Sequence, residues 1–138
     1  MKENYIQNQF VPYEIALTLK EIGFDEPCFG YYEVSDKHKD GFKLRFIEHE
    51  DSNPSKQPLN KDCLAPIYQQ VLKWFLEKKI LIEVYPIDDW EHWTYRISGE
   101  DVLSSFYIMY QNTEDLTPKD NPYQKAILKT IELWKNNL

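Results

Sequence analysis

The fold is decided by the stretch Asn60–Lys79, NKDCLAPIYQQVLKWFLEKK. Its apolar side chains recur at the three- and four-residue spacing of an α-helix, which gives one broad apolar face. The pattern predicts a central helix over roughly 62–79, followed at once by a strand over Ile80–Tyr85, which is rich in β-forming residues. We expect the helix to bury three side chains against a sheet, namely Val71, Leu72 and Phe75.

Before this helix the sequence predicts one further helix and a pair of strands. Pro12 stands where the first helix begins and Gly23 where it ends, the usual positions of these residues at helix termini. Strands are predicted over 28–34 and 42–46, joined by the polar turn Ser35–Gly41. The Pro- and Ser-containing residues 48–61 are predicted to be a long mobile loop.

The remaining sequence predicts two more strands and a last helix. Strands over 90–97 and 105–110, separated by turn residues at 98–101, form an antiparallel meander with Ile80–Tyr85. Asn121 and Pro122 are a helix N-cap and first helical residue, which fixes where the last helix begins. The predicted fold is α+β, a single domain over residues 1–138 with a mostly antiparallel sheet of about five strands covered by three helices.

Composition excludes several classes of function. The net charge is −7, and a protein that binds nucleic acid or an anionic membrane surface normally presents a positive face. No apolar run is long enough to span a membrane, and the N-terminus does not resemble a secretory signal. With only two cysteines, Cys28 and Cys63, and no close pair, a reducing cytoplasmic location is expected.

Two clusters combine histidine with carboxylates. The segment Asp88–Trp93 holds three carboxylates and His92, and the segment Glu48–Asp51 holds three carboxylates around His49. Neither has the spacing of a known metal or catalytic motif, so solvated polar turns explain both, and no metal, cofactor or catalytic residue is predicted. Buried thiols that act as small apolar side chains likewise explain Cys28 and Cys63.

Aromatic residues are the one compositional excess, at 15% of the chain. Neighbouring residues of a strand point to opposite faces, so some of these rings lie away from a core that covers only one face. Exposed aromatic rings mark interaction surfaces, whereas a sheet covered on both faces would make the same rings part of the core. The candidate binding residues are Tyr31, Tyr32, Trp93, Tyr95 and Tyr107.

Three segments resemble a known group of proteins. They are Val11–Leu17, the strand entry Gly23–Tyr32 and the helical segment Ala65–Phe75. Together they resemble a family of small uncharacterised proteins common in Bacteroidetes bacteria and their phages or prophages. The resemblance implies a phage or mobile-element context, and it implies no activity and no site residue.

Two hypotheses about function follow. The first is a small non-enzymatic binding or accessory protein that contacts a protein partner through strand aromatics. The alternative is a small enzyme that uses a His–carboxylate or thiol site. The first is favoured because no set of acid, base and nucleophile occurs in a recognisable pattern.

Overall fold

The computed structural model describes residues 8–46, 62–87, 90–100 and 106–137. These residues form three α-helices and two three-stranded antiparallel sheets, which supports the predicted α+β class. The chain divides into two compact units, Met1–Gln70 and Val71–Leu138, each with one of the sheets. The single sheet of about five strands is therefore wrong. This division leaves the prediction of a single domain untested, and the predicted loop over 48–61 lies outside the described residues.

The first unit contains helix α1 (Tyr13–Glu21) and strands β1 (Gly30–Val34), β2 (Phe42–Phe46) and β3 (Cys63–Ala65). The strand order is β2-β1-β3, with every pair antiparallel. The predicted β1–β2 hairpin is confirmed, and its turn depends on Gly41, whose φ of 85° favours glycine. The Ser35 N–H donates to the Gly41 carbonyl at 3.0 Å and closes the turn.

Helix α1 follows the prediction closely. Pro12 precedes it, and Gly23 follows it with a φ of 99°, a conformation that only glycine adopts without cost. Its apolar stripe buries Ile15, Ala16 and Leu19. Within the described residues, no helix is long and apolar enough to cross a membrane.

The predicted start of the central helix is wrong. Residues 63–65 form strand β3 on β1, and helix α2 begins at Tyr68 and ends at Glu77. Pro66 is the physical reason, because proline disfavours helical backbone in the residue before it and lacks the N–H that a helix interior uses. The Ile67 N–H donates to the Gln70 side chain at 3.0 Å, which satisfies a donor at the new start of the helix.

The second unit contains strands β4 (Ile80–Pro86), β5 (Trp93–Glu100) and β6 (Phe106–Gln111) and helix α3 (Pro122–Asn137). The strands pair antiparallel in the order β4-β5-β6, so the predicted meander is confirmed. The turn predicted at 98–101 is wrong for its described part, since Ser98, Gly99 and Glu100 continue β5. A short 3₁₀ helix, Pro118–Asp120, precedes α3.

Helix α3 begins as the sequence predicts. Asn121 accepts the backbone N–H of Gln124 on its side-chain oxygen at 3.2 Å, as an N-cap does. The helix packs against β4 and β5 and buries Ile127 and Ile131. Tyr123, which the sequence places on the same face, is exposed.

Phe75 tests the packing of the second unit. Its ring is fully buried and lies 5.0 Å from the Trp74 ring and 6.1 Å from the Trp134 ring, measured between centroids. We expect Phe75→Ala to lower the free energy of unfolding by ~3–5 kcal/mol, because it deletes a buried aromatic ring and leaves a cavity.

The neighbouring residue supplies the control. Leu76 is 48% exposed, so Leu76→Ala should change the free energy of unfolding by about 0.5 kcal/mol or less. Urea unfolding of both variants measures the difference. Equal stabilities of the two variants would contradict the assignment of Phe75 to the core.

Candidate functional site

The five candidate binding residues are divided between the two units. Tyr31 and Tyr32 belong to β1 of the first unit, and Trp93, Tyr95 and Tyr107 belong to β5 and β6 of the second. Tyr31 and Trp93 are half-buried, Tyr107 is half exposed, and Tyr32 and Tyr95 are buried. Their role in binding stays a prediction, and burial leaves Tyr32 and Tyr95 without an accessible ring face.

Tyr32 is part of the core of the first unit. Its hydroxyl donates to the Val11 carbonyl at 2.6 Å, and its ring meets those of Tyr13 and Phe42 edge-on at 5.6 and 5.8 Å. Burial raises the pKa of the Tyr32 hydroxyl well above its ordinary value, since the phenolate would lose its hydration. Tyr32 therefore packs and anchors the chain at Val11.

Tyr95 lies on the face of the second sheet that helix α3 covers. Its ring stacks on Tyr110 at 5.9 Å, and the Lys129 ammonium of α3 lies 4.5 Å from the Tyr110 ring centroid. Burial and the adjacent Tyr110 raise the pKa of the Tyr95 hydroxyl to about 12. The expectation that this ring points away from the helices is corrected: the aromatic face of β5 is a core face.

Tyr107 shares that face, because it pairs with Gly99 of β5 in the sheet register. Ile108, the next residue of β6, pairs with Ser98 on the opposite face and is 57% exposed. A register shift between β5 and β6 at Ile97 and Ser98 interrupts the regular pairing of this strand.

The most exposed aromatic ring in the described residues is one that the sequence did not single out. Trp90 is 75% exposed and lies between β4 and β5 rather than in a strand. Its ring centroid is 6.0 Å from that of Trp93, so the two rings contact one another. The Trp93 indole N–H donates to the Trp90 carbonyl at 2.9 Å. We call these two residues the tryptophan pair.

The backbone around the tryptophan pair is well held. The Ile87 N–H donates to the His92 carbonyl at 2.9 Å, which closes the described part of the hairpin. The Trp93 N–H donates to the carbonyl of buried Leu116 at 2.7 Å. These backbone hydrogen bonds restrict the segment that carries the pair. They therefore limit the conformational entropy that is lost when another molecule binds to the two rings.

The surroundings of the pair are acidic. Glu91, Glu114 and Asp115 are all exposed, and the Asp115 carboxylate accepts a hydrogen bond from His92 Nδ1 at 2.8 Å. Since His92 pairs with Asp115, the predicted polar turn is the better interpretation of this histidine, while Asp88 and Asp89 lie outside the described residues. Among the described residues, no group of three His, Cys, Asp or Glu side chains is arranged to hold a metal ion.

The exposure of Trp90 could have been anticipated from composition. Asp88 and Asp89 follow Pro86, and aspartate is depleted in strands, which favours a loop that continues past them. The sequence prediction instead began the strand at Trp90, three residues too early. That shift placed Trp90 inside the sheet.

The thiols have the properties of buried structural cysteines. Cys28 and Cys63 are both free and buried, and the Cys28 thiol donates to the Glu26 carbonyl at 3.3 Å. Burial raises the pKa of each thiol from its ordinary value of 9.0 to about 12. A nucleophilic cysteine needs the opposite shift, because the thiolate is the reactive form.

These pKa values predict how stability depends on pH. In the unfolded chain the thiols ionise near pH 9, whereas in the folded chain they stay protonated up to about 12. Their contribution to stability is therefore complete below pH 9 and is lost as the pH rises from 9 towards 12. We expect the melting temperature to fall over this interval. Alkylation by iodoacetamide at about pH 8 should be slow in the native protein and fast in urea.

The double variant Cys28→Ala, Cys63→Ala is the control for the pH dependence. It should lose part of the alkaline fall in melting temperature, with Tyr95 and Tyr32 supplying the remainder. A native thiol that reacts as fast as free cysteine would contradict the assigned burial.

Comparison with models of protein families, with curated proteins and with solved structures yields no match for this chain. The resemblance to small Bacteroidetes and phage proteins therefore stays a prediction. Any argument about function therefore rests on the side chains of this chain and not on a related protein, and the tryptophan pair is the main feature.

Proposed function

We propose that this protein is a non-enzymatic module that binds a protein partner through the tryptophan pair. The proposal keeps the aromatic contact inferred from sequence and moves its centre from the strand rings to Trp90. The wider context, an accessory protein of phage or mobile-element type, is proposed on the sequence resemblance alone.

The observation that carries the proposal is the 75% exposure of the Trp90 side chain, in a residue whose carbonyl accepts a hydrogen bond from the Trp93 indole. Tryptophan has the largest apolar surface of any side chain, and leaving it in water is unfavourable unless a contact uses it. Tryptophan is also among the residues most enriched where protein interfaces gain their binding energy. Packing against Trp93 holds the ring without burying it.

The charges around the pair indicate the chemistry of the partner. Exposed Glu91 follows Trp90 in sequence, and exposed Asp115 pairs with His92 beside Trp93, in a chain of net charge −7. A protein surface that combines an apolar pocket with basic residues at its rim complements this arrangement, and an anionic polymer is repelled. Association should consequently be faster at low salt, because the charges act mainly through steering.

The enzyme alternative would use a His–carboxylate pair, and the described residues contain two, His92 with Asp115 in the second unit and His38 with Glu33 in the first. In the first unit, His38 Nε2 lies 2.9 Å from the Glu33 carboxylate, and Arg45 lies 3.4 Å from the same oxygen. The His38 hydrogen bond, with Arg45, lowers the pKa of Glu33, which makes the carboxylate a weaker base. A depression of about 280 Å³ in this unit is lined by Tyr32, Asp40, Phe42, Lys43 and Leu44, and neither His38 nor Glu33 is among these residues. The pair and the depression therefore do not form one site.

Affinity capture tests the binding proposal. The bait is the tagged protein, and the lysate comes from a Bacteroidetes bacterium, the context that the resemblance implies. We expect a specific protein to be retained by wild type and reduced about 30-fold or more in affinity by Trp90→Ala, the size of effect typical of a central aromatic contact. The Trp90 carbonyl that accepts from Trp93 survives this substitution, so the melting temperature should not change.

Phe29→Ala is the matched control, because Phe29 is an exposed ring of the first unit at 65%. It should retain the partner that Trp90→Ala loses. Equal retention by wild type and Trp90→Ala, or equal loss in both variants, would reject the tryptophan pair as the contact surface. A measurable hydrolytic or transfer activity that His38→Ala abolishes would favour the alternative.

A further inference from the structure

A small cavity lies in the second unit at the opposite end of β5 from Trp93. Its volume is about 80 Å³, which is room for several water molecules or one small organic group. Its lining combines apolar residues, Ile80, Gly99, Tyr107, Met109 and Trp134, with the charged residues Lys78, Lys79 and Glu100. Gly99 is six residues beyond Trp93, roughly 20 Å along the strand, so this cavity is separate from the tryptophan pair.

The wall at Gly99 excludes any larger residue. A Cβ atom at position 99 would lie 2.9 Å from the Met109 sulfur and 3.1 Å from the Tyr107 ring. Glycine within a strand often marks such a close approach, and here it leaves the Tyr107 and Met109 side chains in place beside the cavity. Alanine at this position would therefore displace the cavity wall.

Lys79 is held in an unusual backbone conformation. Its φ is 70°, in the left-handed region that glycine or asparagine usually occupies after a helix. Its ammonium lies 3.6 Å from the Glu100 carboxylate, so the charges of this lysine and of Glu100 offset one another. The polar side of the cavity is left with the single positive charge of Lys78.

Lys78 is positioned by aromatic rings instead of by a carboxylate. Its ammonium lies 4.6 Å from the Trp74 ring centroid and 5.8 Å from that of Trp134. No ion pair of Lys78 occurs in the part of the chain that the structure describes. The rings attract the cation and restrict the side chain, but they leave its N–H donors available to an acceptor.

We propose that this cavity binds a carboxylate group that carries a short apolar tail. The carboxylate accepts from the Lys78 ammonium, and the tail lies against Trp134, Tyr107 and Met109. A charge-assisted hydrogen bond to an ammonium that has no ionic partner among the described residues supplies the polar part of the recognition. A doubly charged phosphate fits less well, because the aromatic wall cannot replace the hydration of its second charge.

The carboxylate can belong to a free metabolite or to a peptide, and two ligands distinguish these sources. Sodium propionate is the free probe, and propionamide is its uncharged counterpart. A tripeptide that ends in alanine is the peptide probe, offered with a free and with an amidated C-terminus. Binding is followed by amide NMR spectra at constant ionic strength, with the Trp134 indole N–H as a reporter beside the cavity.

Propionate should cause saturable shifts at Trp134, Gly99 and the amides of Lys78 and Lys79, and propionamide should not. Lys78→Met keeps the apolar stem and removes the charge, so it should weaken binding about tenfold or more. Gly99→Ala should weaken it as well by displacing the wall. Lys73→Met, which removes an exposed charge from helix α2 just before Lys78, should bind as wild type does.

Three results would overturn the proposal: shifts that grow linearly with propionate, equal binding of propionamide, or an unchanged affinity in Lys78→Met. Lys78 is exposed, so its variant reports on binding even if Gly99→Ala fails to fold. A free-acid tripeptide that binds more tightly than propionate, with the amidated form inactive, identifies a peptide C-terminus as the source. Tighter binding of propionate than of the free-acid tripeptide identifies a small free acid as the source. The tryptophan pair takes no part in these measurements, so their outcome is independent of the proposed function.

Discussion

The alternation of side chains along β5 is the constraint on which the second unit depends. β5 is the middle strand of the described sheet, and its backbone groups pair with β4 and β6. Its side chains alone therefore determine which face of the sheet is apolar and packed and which is polar. Tyr95, Ile97 and Gly99 fall on the face that meets helix α3, whereas Arg96 falls on the other and donates twice to Glu83 at 3.0 and 3.1 Å. This assignment makes Tyr95 a core ring, places Tyr107 over Gly99, and leaves Trp90, which precedes the strand, outside the packing altogether.

Short sequence patterns correctly predicted those structural elements that depend only on residues close together in the sequence. The alternating residues 42–46, the Asp40-Gly41 turn and the Asn121 cap each involve neighbours within a few residues, and the structure contains all three. Pro66 was an equally local signal against a helix through residues 62–67, but the apolar periodicity on either side of it concealed the break. The start of the strand at Trp93 rather than Trp90 was missed for a similar reason, because Trp90 has as strong a β propensity as Trp93.

Other features depend on pairs that are distant in sequence, and the sequence could not indicate them. Strand β3 has only three residues, too few for an alternating pattern, and it is a strand because β1, more than thirty positions earlier, offers it an edge. The same dependence separates the six strands into two sheets. The cavity beside Lys78 is a further case, since it requires the residues that follow α2 together with residues from β4, β5, β6 and α3. The binding role of the candidate residues stays a prediction, although Tyr32 and Tyr95 are buried.

The distribution of tryptophan gives the molecule a built-in optical label. All four tryptophans, Trp74, Trp90, Trp93 and Trp134, lie in the second unit, and the first unit has none. Excitation at the red edge of the protein absorption band selects tryptophan, so this fluorescence originates from the second unit alone. Backbone circular dichroism, in contrast, is sensitive to both units. If the units lose their structure at different temperatures, the two signals separate, and if they melt together, the signals coincide. The chain can thus show, without any added dye, whether it unfolds as one cooperative body or as two.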